Sequence, residues 1–366
     1  MWTQTSTPRE ISTAKDTRTL SLNVLAATGF RKSYKFRSSG EAGHDEAGSY
    51  RDALQTVLDN AILIMIVPFR YLLLPFMPKS WRRVGRAATD FKKYMENMLD
   101  EESSSLKEGK AGNGTLMASF VKALGAHQKE KTVSSRQTAQ SPSKGLTVDE
   151  IFGNIFVINF AGHDTTANTL AFSMILLAAH PEVQDWISEE LRHVIQDSDE
   201  GLEYEKVFEK LNRCRAVLLE TLRQFPPIMA LPKWSNDNPQ VLKVEDRTIV
   251  IPPRTEVMPS ILGLQMHPKY WNDPLVWNPS RWVESSTFFP WSDGPQNCPG
   301  QKFSQVEFVA VLAVLLRDHK VSVVQNDDES PQKARERALA VTQDCNMELL
   351  LRMRDADQVR LIWKKV

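Results

Sequence analysis

The stretch from Ile151 to Ala179 constrains this chain more than any other, because Asp164 is its only formally charged residue. Thr147-Val148-Asp149-Glu150 stands just ahead of it and forms a capping box, in which the Thr hydroxyl accepts from the Glu amide and the Glu side chain reaches back. The stretch itself is apolar nearly all the way round, and a helix without a polar face has to lie inside a large core. The chain is long enough to supply one: at 366 residues and 42% hydrophobic content, about three quarters of the unfolded surface can be buried. The pattern breaks once, at Asn159-Phe160-Ala161-Gly162-His163-Asp164-Thr165-Thr166. Polar groups in the middle of a buried helix are costly unless they are paired or used.

The rest of the chain reads as mainly α with a minor β component. Residues 15–105 are mostly helical in pattern, with a polar loop over 35–50, and Leu116–Leu124 is a short helix. Residues 128–146 lack apolar anchors and read as a flexible loop. Pro181 opens a helix at its first position, reaching to about Gln196. A further helix spans about Lys210 to Phe225 and stops at Pro226-Pro227; Val241–Pro259 turns to short extended segments. After Gln301 a helix runs to about Asp318, and strands are expected at Lys320–Val324, Leu349–Met353 and Val359–Trp363. The last two are expected to be joined through Asp355-Ala356-Asp357.

Charge narrows the function classes. The 45 Lys+Arg balance 45 Asp+Glu, which excludes a basic nucleic-acid glove and an acidic solvating tail. Met1–Ile11 is polar, carries Pro8, and reads as neither signal peptide nor anchor. Ala61–Met77 is apolar but interrupted by Pro68, Arg70 and Pro75. A span needs about 20 apolar residues, and Arg at mid-bilayer costs about 2.5 kcal/mol or more. A surface-dipping or interior segment is the better reading. The three cysteines, Cys214, Cys298 and Cys345, are too few and scattered for a disulfide framework.

G-x-G-x-x-G, Walker, H-E-x-x-H and G-x-S-x-G motifs are all absent, and the seven histidines are dispersed. The most informative stretch is Phe289-Pro290-Trp291-Ser292-Asp293-Gly294-Pro295-Gln296-Asn297-Cys298-Pro299-Gly300-Gln301. Glycines and prolines fix an irregular loop around one cysteine, directly before a helix whose first N–H groups and dipole favour a thiolate. Such a cysteine is either a structural residue in a turn or the ligand of a soft metal such as haem iron. Elsewhere Glu220 and Arg223 lie at i, i+3 on one helix face. They form either a solvated surface pair or a partly buried one, and the flanking Leu218, Leu219 and Phe225 favour burial.

Trp291-x-x-Gly294-x-Gln296-x-Cys298-x-Gly300 resembles the haem-binding loop of the cytochrome P-450 family. It departs from F-x-x-G-x-R-x-C-x-G in two places: Trp291 stands for Phe, and Gln296 replaces the basic residue that usually meets a haem propionate. Glu220-Thr221-Leu222-Arg223 matches the family's E-x-x-R, and Pro279-Ser280-Arg281-Trp282 resembles its P-x-R-F/W. Ala161-Gly162-His163-Asp164-Thr165-Thr166 is similar to its oxygen-activation segment, with His163 at the variable position. His267-Pro268-Lys269-Tyr270-Trp271 looks like a structural region of the family. The motifs stand in family order.

The resemblance implies a cytochrome P-450 fold holding heme b with Cys298 as axial thiolate and metal ligand, framed by Trp291, Gly294, Gln296 and Gly300. It implies that Lys233 meets a propionate, that Ala161 and Gly162 leave room for haem and dioxygen, and that Asp164 and Thr165 deliver protons. Glu220, Arg223 and Arg281 would lock the cysteine loop in place. The implied partners are a NADPH-dependent reductase, dioxygen and a lipophilic small molecule, with no nucleic acid and with peripheral membrane contact through 61–78. The implied place of work is the endoplasmic reticulum surface; the lack of an amino-terminal anchor leaves the cytosol open. The segment around Asp16–Leu25 resembles a mid-domain helix of fungal members, so the chain is expected to be one partial domain, amino-terminally truncated. Its lid and preceding helices would fall in 15–127, a flexible loop in 128–146 and the haem-binding core in 147–366. Two functional classes are implied: a fungal haem-thiolate monooxygenase of secondary metabolism, or an inactive haem-domain fragment that at most binds ligands. A cysteine hydrolase or zinc protein lacks a histidine partner.

Overall fold

The computed structural model describes residues 12–33, 36, 50–108, 115–134, 145–195, 204–283, 288–347 and 349–366. In chain order its helices are α1 (Thr13–Phe30), α2 (Tyr50–Asp59), α3 (Ala61–Ile66), α4 (Phe69–Leu72), α5 (Lys79–Lys107), α6 (Leu116–Ser134), α7 (Val148–Ala179), α8 (Pro181–Ile195), α9 (Tyr204–Val207), α10 (Asn212–Gln224), α11 (Ile261–Gln265), α12 (Gln301–Asp318) and α13 (Pro331–Gln343). The expected mainly α architecture is present. Two compact units are formed, Arg18–Asp164 and Met1–Thr17 with Thr165–Val366, and the boundaries fall inside α1 and α7.

The Arg18–Asp164 unit contains no strand among its described residues. On α5, Val84, Ala88, Phe91, Met95 and Met98 are buried, a spacing of three and four that lays one stripe against the core. Leu54, Val57 and Leu58 of α2, Met117 and Phe120 of α6, and Ile151 and Ile155 of α7 close that core. Gly85 lets α4 approach closely: a Cβ there would lie 3.0 Å from Leu72 Cβ and 3.1 Å from Leu73 Cδ2. The capping box forms as expected, with Glu150 N donating to Thr147 Oγ1 at 3.2 Å and Thr147 N to Glu150 Oε2 at 2.8 Å.

Several expectations change here. α6 does not stop at Leu124 but runs to Ser134, so the loop expected from 128 is helical at its start. Gln128 to Lys131 are strong helix formers that propagate a helix already nucleated by packing. Residues 135–144 of that loop, and most of 35–50, lie outside the described residues. The apolar run at 61–77 is two short helices separated before Pro68. Among the described residues no helix is long and apolar enough to cross a membrane.

α7 is one unbroken helix despite its polar patch, and four of its polar side chains turn back on the preceding turn. Asn159 Nδ2 donates to Ile155 O, His163 Nδ1 to Asn159 O, Thr169 Oγ1 to Thr165 O and Ser173 Oγ to Thr169 O, all at 2.8–3.0 Å. Nor is it buried all round. From Leu170 to Ala179 every residue is buried, whereas Asn154, Val157 and Ala161 are exposed along one face.

In the other unit, Phe172, Leu176, Val217, Leu218, Phe308, Leu312 and Leu316 form the centre of the core, with Phe172 and Phe225 stacked at 4.5 Å. The strands pair two by two, all antiparallel: β1 (Lys233–Trp234) with β4 (Glu256–Val257), β2 (Gln240–Val244) with β3 (Arg247–Ile251), β5 (His319–Val323) with β8 (Leu361–Lys365), and β6 (Cys345–Met347) with β7 (Leu351–Met353). The strands expected at 349–353 and 359–363 therefore do not form a hairpin with each other. Between them Ala356–Gln358 is a 3-10 turn whose Ala356 is buried, and Val359 is fully buried. That anchoring sends the chain onward to β5. The helix α13 is not among the sequence expectations, although Ser330-Pro331 announces it: the Ser330 side chain accepts from Lys333 N, and Pro331 opens the helix.

Candidate active site

The cysteine loop is shaped by its backbone. Gly294 has φ +85°, a conformation that side chains other than glycine's resist. Ser292 also takes a positive φ, 63°. Cys298 N donates to Trp291 O at 2.8 Å, which closes the loop on itself. Gly300 then caps α12, its carbonyl accepting from Ser304 N at 2.8 Å. Trp291 is fixed by its Nε1, which donates to Ser304 Oγ at 3.0 Å. Lys233, from β1, donates to Ser292 Oγ at 2.7 Å and to Asp293 O at 3.2 Å. Cys298 is a free, exposed thiol, and Gln296 beside it is exposed as well.

Glu220 and Arg223 are wholly buried. Arg223 grips both Glu220 oxygens, Nε to Oε2 at 3.0 Å and Nη2 to Oε1 at 2.9 Å. Arg281 Nε adds 3.0 Å to Oε1, and Asn278 N adds 2.9 Å. Trp282 Nε1 completes the set on Oε2 at 2.8 Å. The guanidinium groups spend their other donors on carbonyls: Gln265, Pro274 and Val276 for Arg223, and Asn272, Asp273 and Val276 for Arg281. Trp271 lies 5.2 Å under the Arg223 guanidinium. Burying charges costs several kcal/mol per ion unless each lone pair and proton is used, and here the carboxylate receives donors from two arginines, an indole and a main-chain amide. Glu220, Arg223 and Arg281 thus form one hydrogen-bonded cluster around a buried carboxylate.

On α7, the carboxylate of Asp164 meets Arg18 Nε of α1 at 3.1 Å. Ala161 is exposed. Gly162 turns toward α1, where a Cβ would lie 3.5 Å from Leu25 Cδ2. Thr165 accepts through its carbonyl from Thr169. His163, read from sequence as a variable position, is buried, and burial lowers its pKa below the ordinary imidazole value.

Sequence reasoning misses Arg18, Ser304 and the role of Trp282. For Arg18 and Ser304 no local pattern signals a contact. For Trp282 the signal is present, because an indole in place of a phenyl ring adds an N–H.

Residues 1–349 match the family model described as Cytochrome P-450. The chain belongs to the cytochrome P-450 family. A cytochrome P-450 monooxygenase of Arthrobotrys oligospora is 26% identical over 96% of this chain and 65% of its own length. One of Postia placenta is 31% identical over 87% of this chain and 59% of its own. The phomenoic acid biosynthesis cluster cytochrome P-450 monooxygenase of Leptosphaeria maculans is 30% identical over 78% and 53%. This P-450 chain thus spans between about half and two thirds of the curated relatives it matches. The crystal structure of the heme domain of cytochrome P450DA shares the fold, with TM-score 0.67 at 18% identity over 97% of this chain and 68% of that one.

The residues fit the haem of this family. A single unpaired thiol stands exposed at a helix start, a donor suited to a soft iron centre. An ammonium has three donors, and the hydrogen bonds of Lys233 within the loop use two of them, which leaves one N–H for an anionic group. Among the described residues, no group of three or more His, Cys, Asp and Glu side chains is placed to hold a metal ion.

Proposed function

We propose that this chain carries the haem-thiolate site of a monooxygenase that inserts one oxygen atom from dioxygen into a lipophilic small molecule. The observation that supports this most is Cys298, exposed on a loop pinned by Trp291, Gly294 and Lys233 at the start of α12. Cys298 would hold heme b as the axial thiolate, and the bound group would supply dioxygen activation, favoured by electron density from sulfur. Lys233 would hold a propionate with its remaining N–H, while Gln296 offers a neutral hydrogen bond where relatives commonly carry a charge. The Glu220–Arg223–Arg281 network fixes the chain over 265–282. Asp164, tethered by Arg18, would carry protons inward from solvent, and Thr165 would orient the last donor. Ala161 keeps that face of α7 low.

Two electrons would come from a NADPH-dependent reductase. The exposed apolar side chains of α3 and α4 support peripheral contact with a membrane surface through 61–78, in keeping with an endoplasmic reticulum location. The name of the Leptosphaeria relative supports a place in fungal secondary metabolism.

The deciding experiment loads the full chain with haem and records the reduced carbon monoxide difference spectrum. A strongly red-shifted Soret band that disappears in Cys298→Ser is the expected result. Failure to incorporate haem overturns the reading in favour of an inactive haem-domain chain that binds ligands at most.

A further inference from the structure

Resting on the membrane contact just proposed, we infer that this contact selects anionic lipid, through a cationic stripe on α5. Lys79, Arg82, Arg83 and Arg86 stand at i, i+3, i+4 and i+7 of α5, so they share one helix face. That face is opposite the buried stripe of Val84, Ala88 and Phe91. Lys79, Arg83 and Arg86 are exposed. Arg82 is half-buried, and its Nε has no hydrogen-bond partner among the described residues. With Arg70 these make five cations between residues 60 and 89, where no Asp or Glu occurs, in a chain of zero net charge.

The placement of these cations is unfavourable in isolation. A helix start carries a partial positive charge and favours acids, yet the first turn of α5 has no acidic residue and begins with lysine. A neighbouring anionic surface removes that penalty.

The apolar half of the contact lies beside it. Ile62, Met65 and Ile66 of α3 are 55%, 69% and 74% exposed, and Phe76 is 76% exposed. Tyr71 and Leu73 are exposed too, on a segment that Gly85 seats directly against the basic end of α5. Large apolar side chains beside Lys and Arg are the composition of an interfacial segment: the apolar groups enter the headgroup–acyl boundary and the cations meet lipid phosphate and carboxylate. The occupant fitted by this surface is the face of an anionic bilayer.

The test is co-sedimentation of the full chain with two vesicle types, phosphatidylcholine alone and phosphatidylcholine with 30% phosphatidylserine. The variants are Lys79→Gln/Arg83→Gln/Arg86→Gln and Ile66→Ser/Phe76→Ser, all at exposed positions. At low salt the wild-type chain is expected to bind the anionic vesicles about a hundredfold more tightly than the neutral ones, on the scale of three surface cations. The charge variant should lose that preference while keeping its weak neutral binding, and the apolar variant should lose affinity for both. Equal wild-type binding to both vesicles overturns the anionic selectivity and leaves the membrane contact standing. An unchanged preference in the charge variant overturns the assignment to this stripe. Binding to neither vesicle overturns both, and leaves an acidic protein surface as the counterpart of the stripe.

Discussion

At the scale of single residues, the chemistry divides between one reactive sulfur and one saturated carboxylate. Burial pushes the Cys214 thiol well above its ordinary value and the Cys345 thiol to about 11, while Cys298 is exposed. Iodoacetamide at pH 8 should therefore label Cys298 first and the other two only on unfolding, and haem should protect Cys298; peptide mass mapping with and without haem checks both. Replacing Glu220 by Ala would leave two guanidinium groups without their carboxylate, and Arg223 wholly buried, which should cost about 3–5 kcal/mol in urea unfolding. Trp282→Phe removes only one charge-assisted hydrogen bond, about 1.5–3 kcal/mol, and should keep the fold. The Glu329 carboxylate is held at about 2 by its hydrogen bonds from Arg337 and Asn326 N. The stability it contributes is thus complete above its ordinary value of 4.5 and is lost as the pH falls toward about 2. In Glu329→Gln the melting temperature should fall less steeply across that window.

At the scale of elements, the sequence is most legible where one local interaction decides. The capping box of α7, Pro181 at the head of α8 and the stop before Pro226 each depend on neighbours along the chain, and each falls within a residue or two of its expected place. The polar patch of α7 reads in sequence as a break in the pattern. It is a chain of backward hydrogen bonds within a continuous helix, and periodicity does not distinguish the two. The pairing of β5 with β8 is not legible either, since pairing across α13 is set by tertiary packing and not by turn residues. Gly85 illustrates an element-level constraint invisible in pattern. Gly85→Val should gain helix propensity yet overpack Leu72, for a net loss of about 1–3 kcal/mol by thermal melting.

At the scale of the whole molecule, the motifs of the candidate site can be quoted from sequence because each is short and locally spaced: the cysteine loop, the E-x-x-R pair and the small-residue turn of α7. What holds them is less visible, since Arg18, Trp282 and Ser304 reach their targets through space. Haem that binds only the folded chain should stabilise it by about 2.7 kcal/mol at a hundredfold excess over its dissociation constant. Scanning calorimetry should show this as a raised melting temperature in the wild-type chain and not in Cys298→Ser. The buried network also limits how such chains can diverge. The hydrogen bonds from Arg223 and Arg281 to residues 265–276 all end on main-chain oxygens, and every residue type offers the same oxygen. Point replacements in that segment, at exposed Leu275 for instance, leave the grip intact. Adding or deleting one residue shifts each downstream oxygen out of reach, so apart from Trp271, whose ring lies under Arg223, this stretch is bound more by its length than by its spelling.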